Sequence, residues 1–360
     1  MKKILILLSI IFLMSGCYDY VEIDDLVIVT GILIDYNDNQ YEVTSEVIEN
    51  EKESKVKVFT TKCTTIDECI YKISKLSNKD IFISHLKTLI LTESTITSNI
   101  DFYDYFLREP KSKMNFNVYY VSDEFKKDIL NVYKKDSSTA FYIKDLMEFN
   151  NKIFSSSTPL SFLDLVYKKE EYGINPIYPS LEIKKNNDEE IIYLQNLVTF
   201  KNKKKRILND DEGITYNIIT NNLIKTVINI PCDNNNFSIT LNDTKTKYKW
   251  INNKLSLNTK ISAKISTYTC KYDLDDPKTI NKLSDLTNNY IKENINNLIK
   301  ISKEDNNDFL GLTGYIYKHS KKKLKIKDIN INTKVDTTIN AIGEIRKWKK
   351  KLIPLVLLHY

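Results

Sequence analysis

The residues able to do chemistry in this chain are few. Its three histidines are His85, His319 and His359. They are accompanied by no G-x-S-x-G turn, no H-E-x-x-H pair, no phosphate-cradling G-x-x-x-x-G-K-[ST] loop and no glycine-rich dinucleotide turn. His85 falls within an apolar run, where a satisfied structural histidine is commoner than a base or a ligand. The acidic pairs Asp24-Asp25 and Asp210-Asp211 suit a turn and a helix start better than acid–base work. Cysteine is the remaining candidate. Cys63 and Cys69 have five residues between them, which fits no zinc pattern, and no histidine lies near them in sequence. These two, with Cys232 and Cys270, are expected as buried free thiols, Cys69 on the inner face of a helix. A Cys232–Cys270 bridge is the alternative. Cys17 differs because of what precedes it.

Lys2 and Lys3 give a positive start, and residues 4–13 form an apolar run broken only by Ser9. Met14, Ser15, Gly16 and Cys17 follow. A cationic start, an apolar stretch and small residues before a cut describe a secretory leader, too short to span a bilayer. Residues 1–16 are assigned to that leader, which puts the mature chain outside the cytoplasm. The formal charge of +6 falls to +4 without Lys2 and Lys3, small for 360 residues. Charge therefore gives no reason to expect nucleic acid. The basic runs 201–206 and 321–327 read as solvated turns and strand faces. No later segment reaches the roughly 18 apolar residues of a membrane span. Residues 352–358 are apolar but short, and Pro354 interrupts them.

Residues 26–35 are nearly continuous in apolar β-formers, as in a strand buried on both faces. The polar turn 36–40 leads to a partner strand over 41–48. A third strand is expected over 55–61, then a helix over 65–76 begun by Thr65 with Glu68 three residues on. Residues 80–92 read as one buried strand with His85 inside it. Helices are expected over 100–107, ended ahead of Pro110, and over 123–133, 139–149 and 158–167. The last has Thr158 as cap and Pro159 in its first turn. Strands are expected over 114–121 and 174–183, and the polar stretch 184–190 reads as a domain junction. Beyond it come a strand over 191–200, a helix over 210–220, and antiparallel strands over 223–230, 237–241, 245–251 and 255–268. The clearest helix runs from about Asp276 to Ile301, with the apolar stripe Leu283, Leu286, Tyr290, Ile291, Ile295 and Leu298. Residues 308–317 and the alternating stretch 324–339 complete the chain. The fold class is α+β and multi-domain: an N-terminal α/β domain over 17–185, then an α+β region over 186–360. That second region holds an antiparallel sheet and one long helix, with a subdomain division near 273.

Ser15-Gly16-Cys17 resembles the lipobox of bacterial lipoproteins, in which the cysteine becomes the new N-terminus and carries lipid on its sulfur. After it come Asp19, Glu22-Ile23, and the strand from Thr30-Gly31 to Asp35. Further motifs are Ser84-His85-Leu86-Lys87, Phe106-Leu107-Arg108-Glu109-Pro110, Leu197 to Phe200, Glu212-Gly213, and Asp308-Phe309-Leu310-Gly311. In this order, over nearly the whole chain, they resemble the Ger(x)C family, the C-subunit lipoproteins of spore germinant receptors (GerAC type). Tyr18 stands where that family usually has Trp. The resemblance implies lipidation at Cys17, and structural motif positions at Asp19, Glu22, Gly31, Asp35, His85, Arg108, Pro110, Phe200, Asp308 and Gly311. It implies a non-catalytic subunit, without cofactor, metal or nucleic acid, on the outer face of the spore inner membrane. Its partners would be two membrane-embedded subunits, one of them permease-like, in a receptor for small nutrients. The alternative is a solute-binding lipoprotein of a transporter, which would show paired βαβ lobes that this pattern of elements lacks.

Overall fold

A computed structural model describes residues 25–49, 55–98, 100–133, 137–187, 189–274 and 276–341. Cys17, Asp19, Glu22 and the stretch 352–358 lie outside the described residues. The first half is built on a nine-stranded mixed sheet. Its strands are β1 (Leu26–Asn37), β2 (Gln40–Ile48), β3 (Val56–Cys63), β4 (Asp80–Phe82), β5 (Thr88–Thr92), β6 (Asn117–Val121), β7 (Ile177–Asn186), β8 (Glu189–Lys201) and β9 (Lys204–Ile207). The spatial order is β3-β2-β1-β5-β6-β7-β8-β9, with β4 beside the start of β1. Strands β1, β5, β6 and β7 run parallel, and hairpins extend both flanks.

The central strands are buried on both faces, which is why they read as unbroken apolar runs. Val27, Val29, Ile32 and Ile34 point to one side, where α1 (Ile66–Ser77), α3 (Asp104–Arg108) and α5 (Phe162–Glu170) pack. Leu33, Ile90 and Tyr119 point to the other, toward α4 (Thr139–Ile153). A short α2 (Glu93–Thr97) follows β5. Each large side chain buried this way stabilises the fold by about 1.5–3 kcal/mol.

The second half has a four-stranded sheet, β10 (Thr226–Cys232), β11 (Asn235–Ile251), β12 (Lys254–Tyr268) and β13 (Asn330–Ala341). The first three form an antiparallel meander, and β13 joins β12 in parallel. Helices α6 (Asp210–Thr220), α7 (Pro277–Glu304) and α8 (Leu312–Ser320) supply Tyr216, Leu283, Ile295, Leu298 and Ile316 to the core on this sheet. The α7 stripe and the strands lie in one apolar core across residue 273, and that core also takes in Ile177 and Leu197 of the first sheet. The polar stretch near 184–190 is the tip of the β7–β8 hairpin, so the first sheet continues through it.

Several local expectations are corrected. Residues 80–92 are two strands, because Ser84–His85 form a turn in which the Leu86 amide donates to the Ile83 carbonyl at 3.0 Å. His85 is therefore exposed. Residues 123–133 form consecutive turns, not a helix; Ile129 and Leu130 still reach the core. The helix expected from Thr158 begins only at Phe162. The Val118 amide bonds to the Leu160 carbonyl and the Phe162 amide to the Phe116 carbonyl, which hold 160–162 extended against β6. Ser161 is the cap, its hydroxyl accepting from the Asp164 amide at 3.1 Å. The strands expected over 237–241 and 245–251 are one strand with an irregularity between Leu241 and Asp243.

The four cysteines expected as free thiols are bridged instead, one of the two pairs being the Cys232–Cys270 alternative. Cys63 is bonded to Cys69, with Cα atoms 5.5 Å apart, and Cys232 to Cys270, with Cα atoms 5.9 Å apart. Cys63 ends β3 and Cys69 faces back from the first turns of α1, so the strand–turn–helix path brings them together. Sequence spacing alone carries no sign of that path.

Candidate functional site

Two polar clusters order the first sheet. At the C-terminal end of β1, the Asp35 carboxylate accepts from Thr92 Oγ1, Ser94 Oγ and Lys126 Nζ, each at 2.7 Å. Asn37 Nδ2 adds a fourth donor at 2.9 Å. Burial raises the Asp35 pKa, but the Lys126 ammonium and the Thr92 and Ser94 hydroxyls more than offset it, leaving it below the ordinary aspartate value. With this many donors the carboxylate is a structural acceptor, not a free base.

The second cluster surrounds Glu46, which is fully buried on β2. Thr30 Oγ1 donates to it at 2.6 Å, the Thr139 amide at 2.7 Å and the Ala140 amide at 3.2 Å; the Ser138 hydroxyl also donates. The carboxylate thus satisfies the opening amides of α4, where the helix dipole favours negative charge. Gly31 lies beside it, and a Cβ there would stand 2.8 Å from the Ala140 Cβ. Glu46 and Lys126 carried no distinguishing signal in sequence. Glu46 alternates correctly within a strand, and Lys126 lies where a surface helix was expected.

The two halves meet at the corner between α7 and α8. Asp308 is buried and accepts from the Leu312 amide at 3.0 Å, the Thr313 amide at 2.6 Å and Thr313 Oγ1 at 2.7 Å. Burial pushes its carboxyl up, while these donors pull the other way. Gly311 has φ 71°, a left-handed conformation that glycine adopts without a Cβ penalty. From this corner the Asp308 carbonyl accepts from the Asn175 amide at 2.9 Å, and Asp305 pairs with Arg206 at 2.7 Å and Lys204 at 3.2 Å. Lys205 pairs with Glu93 at 2.9 Å, so much of the basic run 201–206 is ion-paired, not simply solvated. Gly213 completes the junction: a Cβ would lie 2.0 Å from the Ser156 carbonyl oxygen.

The remaining motif residues are dispersed. Phe200 lines the strand ends, with ring centroids 5.4 Å from Tyr120 and 6.3 Å from Tyr178. Arg108 is exposed and pairs with Asp104 one turn away, and Pro110 follows the end of α3 as expected. His85 lies 5.6 Å from the Phe82 ring. The motif positions thus mark strand ends and the junction of the halves rather than a reaction centre. Among the described residues no group of three or more His, Cys, Asp or Glu side chains could hold a metal ion. No described helix is long and apolar enough to cross a membrane.

Comparison with known proteins follows the same division. Residues 19–183 match the family profile described as the spore germination protein N-terminal domain. Residues 195–343 match the one described as spore germination B3/GerAC like, C-terminal. Spore germination protein KC of Bacillus subtilis (strain 168) is 22% identical over 387 residues, covering 94% of this chain and 95% of that protein. Spore germination protein A3 of the same organism is 27% identical over 163 residues, covering 42% of this chain and 43% of that one. The crystal structure of the GerBC protein superposes with a TM-score of 0.54 at 13% identity, covering 86% of this chain and 96% of that one. At that identity the likeness establishes the fold.

Proposed function

We infer a receptor role from one premise: the chain belongs to the Ger(x)C (GerAC) family of spore germination proteins, matched over residues 19–183 and 195–343. It is a germinant receptor C subunit, acting in nutrient-triggered spore germination. The observation that carries the reading is the order of the two family halves on a fold shared with GerBC over 86% of the chain.

The finer assignment rests on the sequence of the N-terminus. Cleavage after Gly16 leaves Cys17 as the first residue, and lipid on its sulfur holds the body at the outer face of the spore inner membrane. Each buried acyl methylene contributes about 0.8 kcal/mol, so several chains make a durable tether. The subunit is non-catalytic. The donor-saturated Asp35 and the helix-capping roles of Glu46 and Asp308 support this, since each carboxylate already serves the fold. Its partners are two membrane-embedded subunits, one of them permease-like, and no nucleic acid is involved. Affinity purification of the tagged chain from detergent-solubilised spore membranes tests the assembly. Stoichiometric recovery of a permease-like membrane protein is expected; recovery of the chain alone under conditions that keep other membrane complexes intact would overturn it.

A further inference from the structure

Beside α2, which follows the C-terminal end of β5, lies a cleft of about 480 Å³. Ile96 and Ser98 at the end of α2, Lys169 on α5, and Phe200 and Lys203 on the β8–β9 hairpin line it. Crevices at the carboxyl ends of parallel strands are where open sheets of this kind take ligands. The volume is in the range of small-molecule sites.

Lys169 is the unusual member. It is half-buried, and its ammonium lies 4.9 Å from the ring centroid of Phe102 and 5.5 Å from that of Tyr103. The half-buried Lys126 has a close carboxylate, Asp35 at 2.7 Å, and even the exposed Lys205 has Glu93 at 2.9 Å. Lys169 has no ion pair or hydrogen bond among the described residues. The acids that face it, Asp101 from the loop before α3 and Glu170 from its own helix, both accept from the Tyr103 hydroxyl, at 3.1 and 2.7 Å. Burial pushes the Lys169 amine down, against the opposing pull of Asp101 and Glu170. A desolvated cation held only by two ring faces is incompletely compensated. Lys203, exposed at the hairpin tip, has no carboxylate partner among the described residues either.

We propose that this cleft binds a small organic carboxylate, its oxygens on Lys169 and Lys203 and its apolar remainder against Phe200 and Ile96. The lining argues against phosphate. The Thr97 and Ser98 hydroxyls already donate to the Glu93 and Thr95 carbonyls, at 2.8 and 2.7 Å, which leaves the Asn202 amide as the neutral side-chain donor on the lining, few for the oxygens of a phosphate. The site goes beyond the receptor reading and stands without it.

The test is protection of Lys169 in the full chain from limiting N-hydroxysuccinimidyl acetate, read by peptide mass spectrometry. Sodium butanoate should slow acetylation of Lys169 at least fivefold relative to sodium chloride of equal ionic strength, with exposed Lys62 unaffected. Equal protection by sodium phosphate overturns the carboxylate assignment, and protection by neither overturns the site. Butanoate should also raise the melting temperature of the native chain and of Lys169→Arg, but not that of Lys169→Met. A Lys169→Met chain stabilised as much as the native one contradicts the role of the cation.

Discussion

The two sheets of this protein solve the same problem in opposite ways. The central strands of the first are covered on both faces, and their polar groups must be satisfied inside the fold, as at Glu46 and Asp35. The second keeps one face in water: along β10 the residues alternate strictly between buried and exposed, from buried Thr226 through exposed Val227 to buried Cys232. Helices cover only its inner side. Two-sided burial concentrates the risk in a few carboxylates, whereas one-sided burial spreads stability along a stripe and needs fewer polar devices.

The largest expected effect concerns the second sheet. Cys232–Cys270 closes a separation of 38 residues, so replacing both with Ser should cost about 4 kcal/mol; the same change at Cys63 and Cys69, separated by 6, should cost about 2. Denaturant unfolding of the two variants measures the contrast, and equal losses would break it. Next, Glu46→Ala leaves the Ser138 hydroxyl and the first amides of α4 without their acceptor and should cost about 3 kcal/mol. Hydrogen exchange should show α4 loosening before β10–β12; uniform loosening would contradict a local role for Glu46.

Asp35→Asn should cost about 2 kcal/mol at neutral pH. The sign with pH follows from its depressed pKa in the folded state. The contribution is present above the unfolded aspartate value and lost as pH falls through the lower folded value. Native and Asp35→Asn chains should therefore converge in stability in acid, and a constant gap down the acid range would show that the ionised form is not what matters. The smallest effect is Val227→Thr, on the wet face of β10, within about 0.5 kcal/mol of native by thermal melting. A larger loss there would mean the outer face of the second sheet is covered.

The same contrast decided what could be read from the sequence. The alternating residues of β10 and β12 and the long stripe of α7 show their buried face directly and differ from expectation by small shifts of boundary, while the irregularity between Leu241 and Asp243 made β11 read as two strands. In the first sheet, continuous apolar runs hid the turn at Ser84–His85, because Ile83 and Leu86 are buried whether or not the strand breaks. Residues 123–133 had helical spacing, yet Lys126 is drawn to Asp35 and the segment folds as turns. Gly31, Asp35, Asp308 and Gly311 were legible only through the family resemblance. Their partners Glu46, Lys126 and Thr313 were not, since those contacts span up to 94 residues or depend on a tight corner. The Cys63–Cys69 pair was not legible, because it depends on where a strand end and a helix start meet, whereas Cys232–Cys270 is the bridge given as the alternative.

We propose that this two-sheet body is held at a membrane through Cys17. Mass spectrometry of the N-terminal peptide, from chain extracted from spore membranes, addresses it most directly. The predicted result is a peptide beginning at Cys17 and carrying a thioether-linked acylated glycerol. A peptide that begins at Met1, or one in which Cys17 is unmodified, would contradict it.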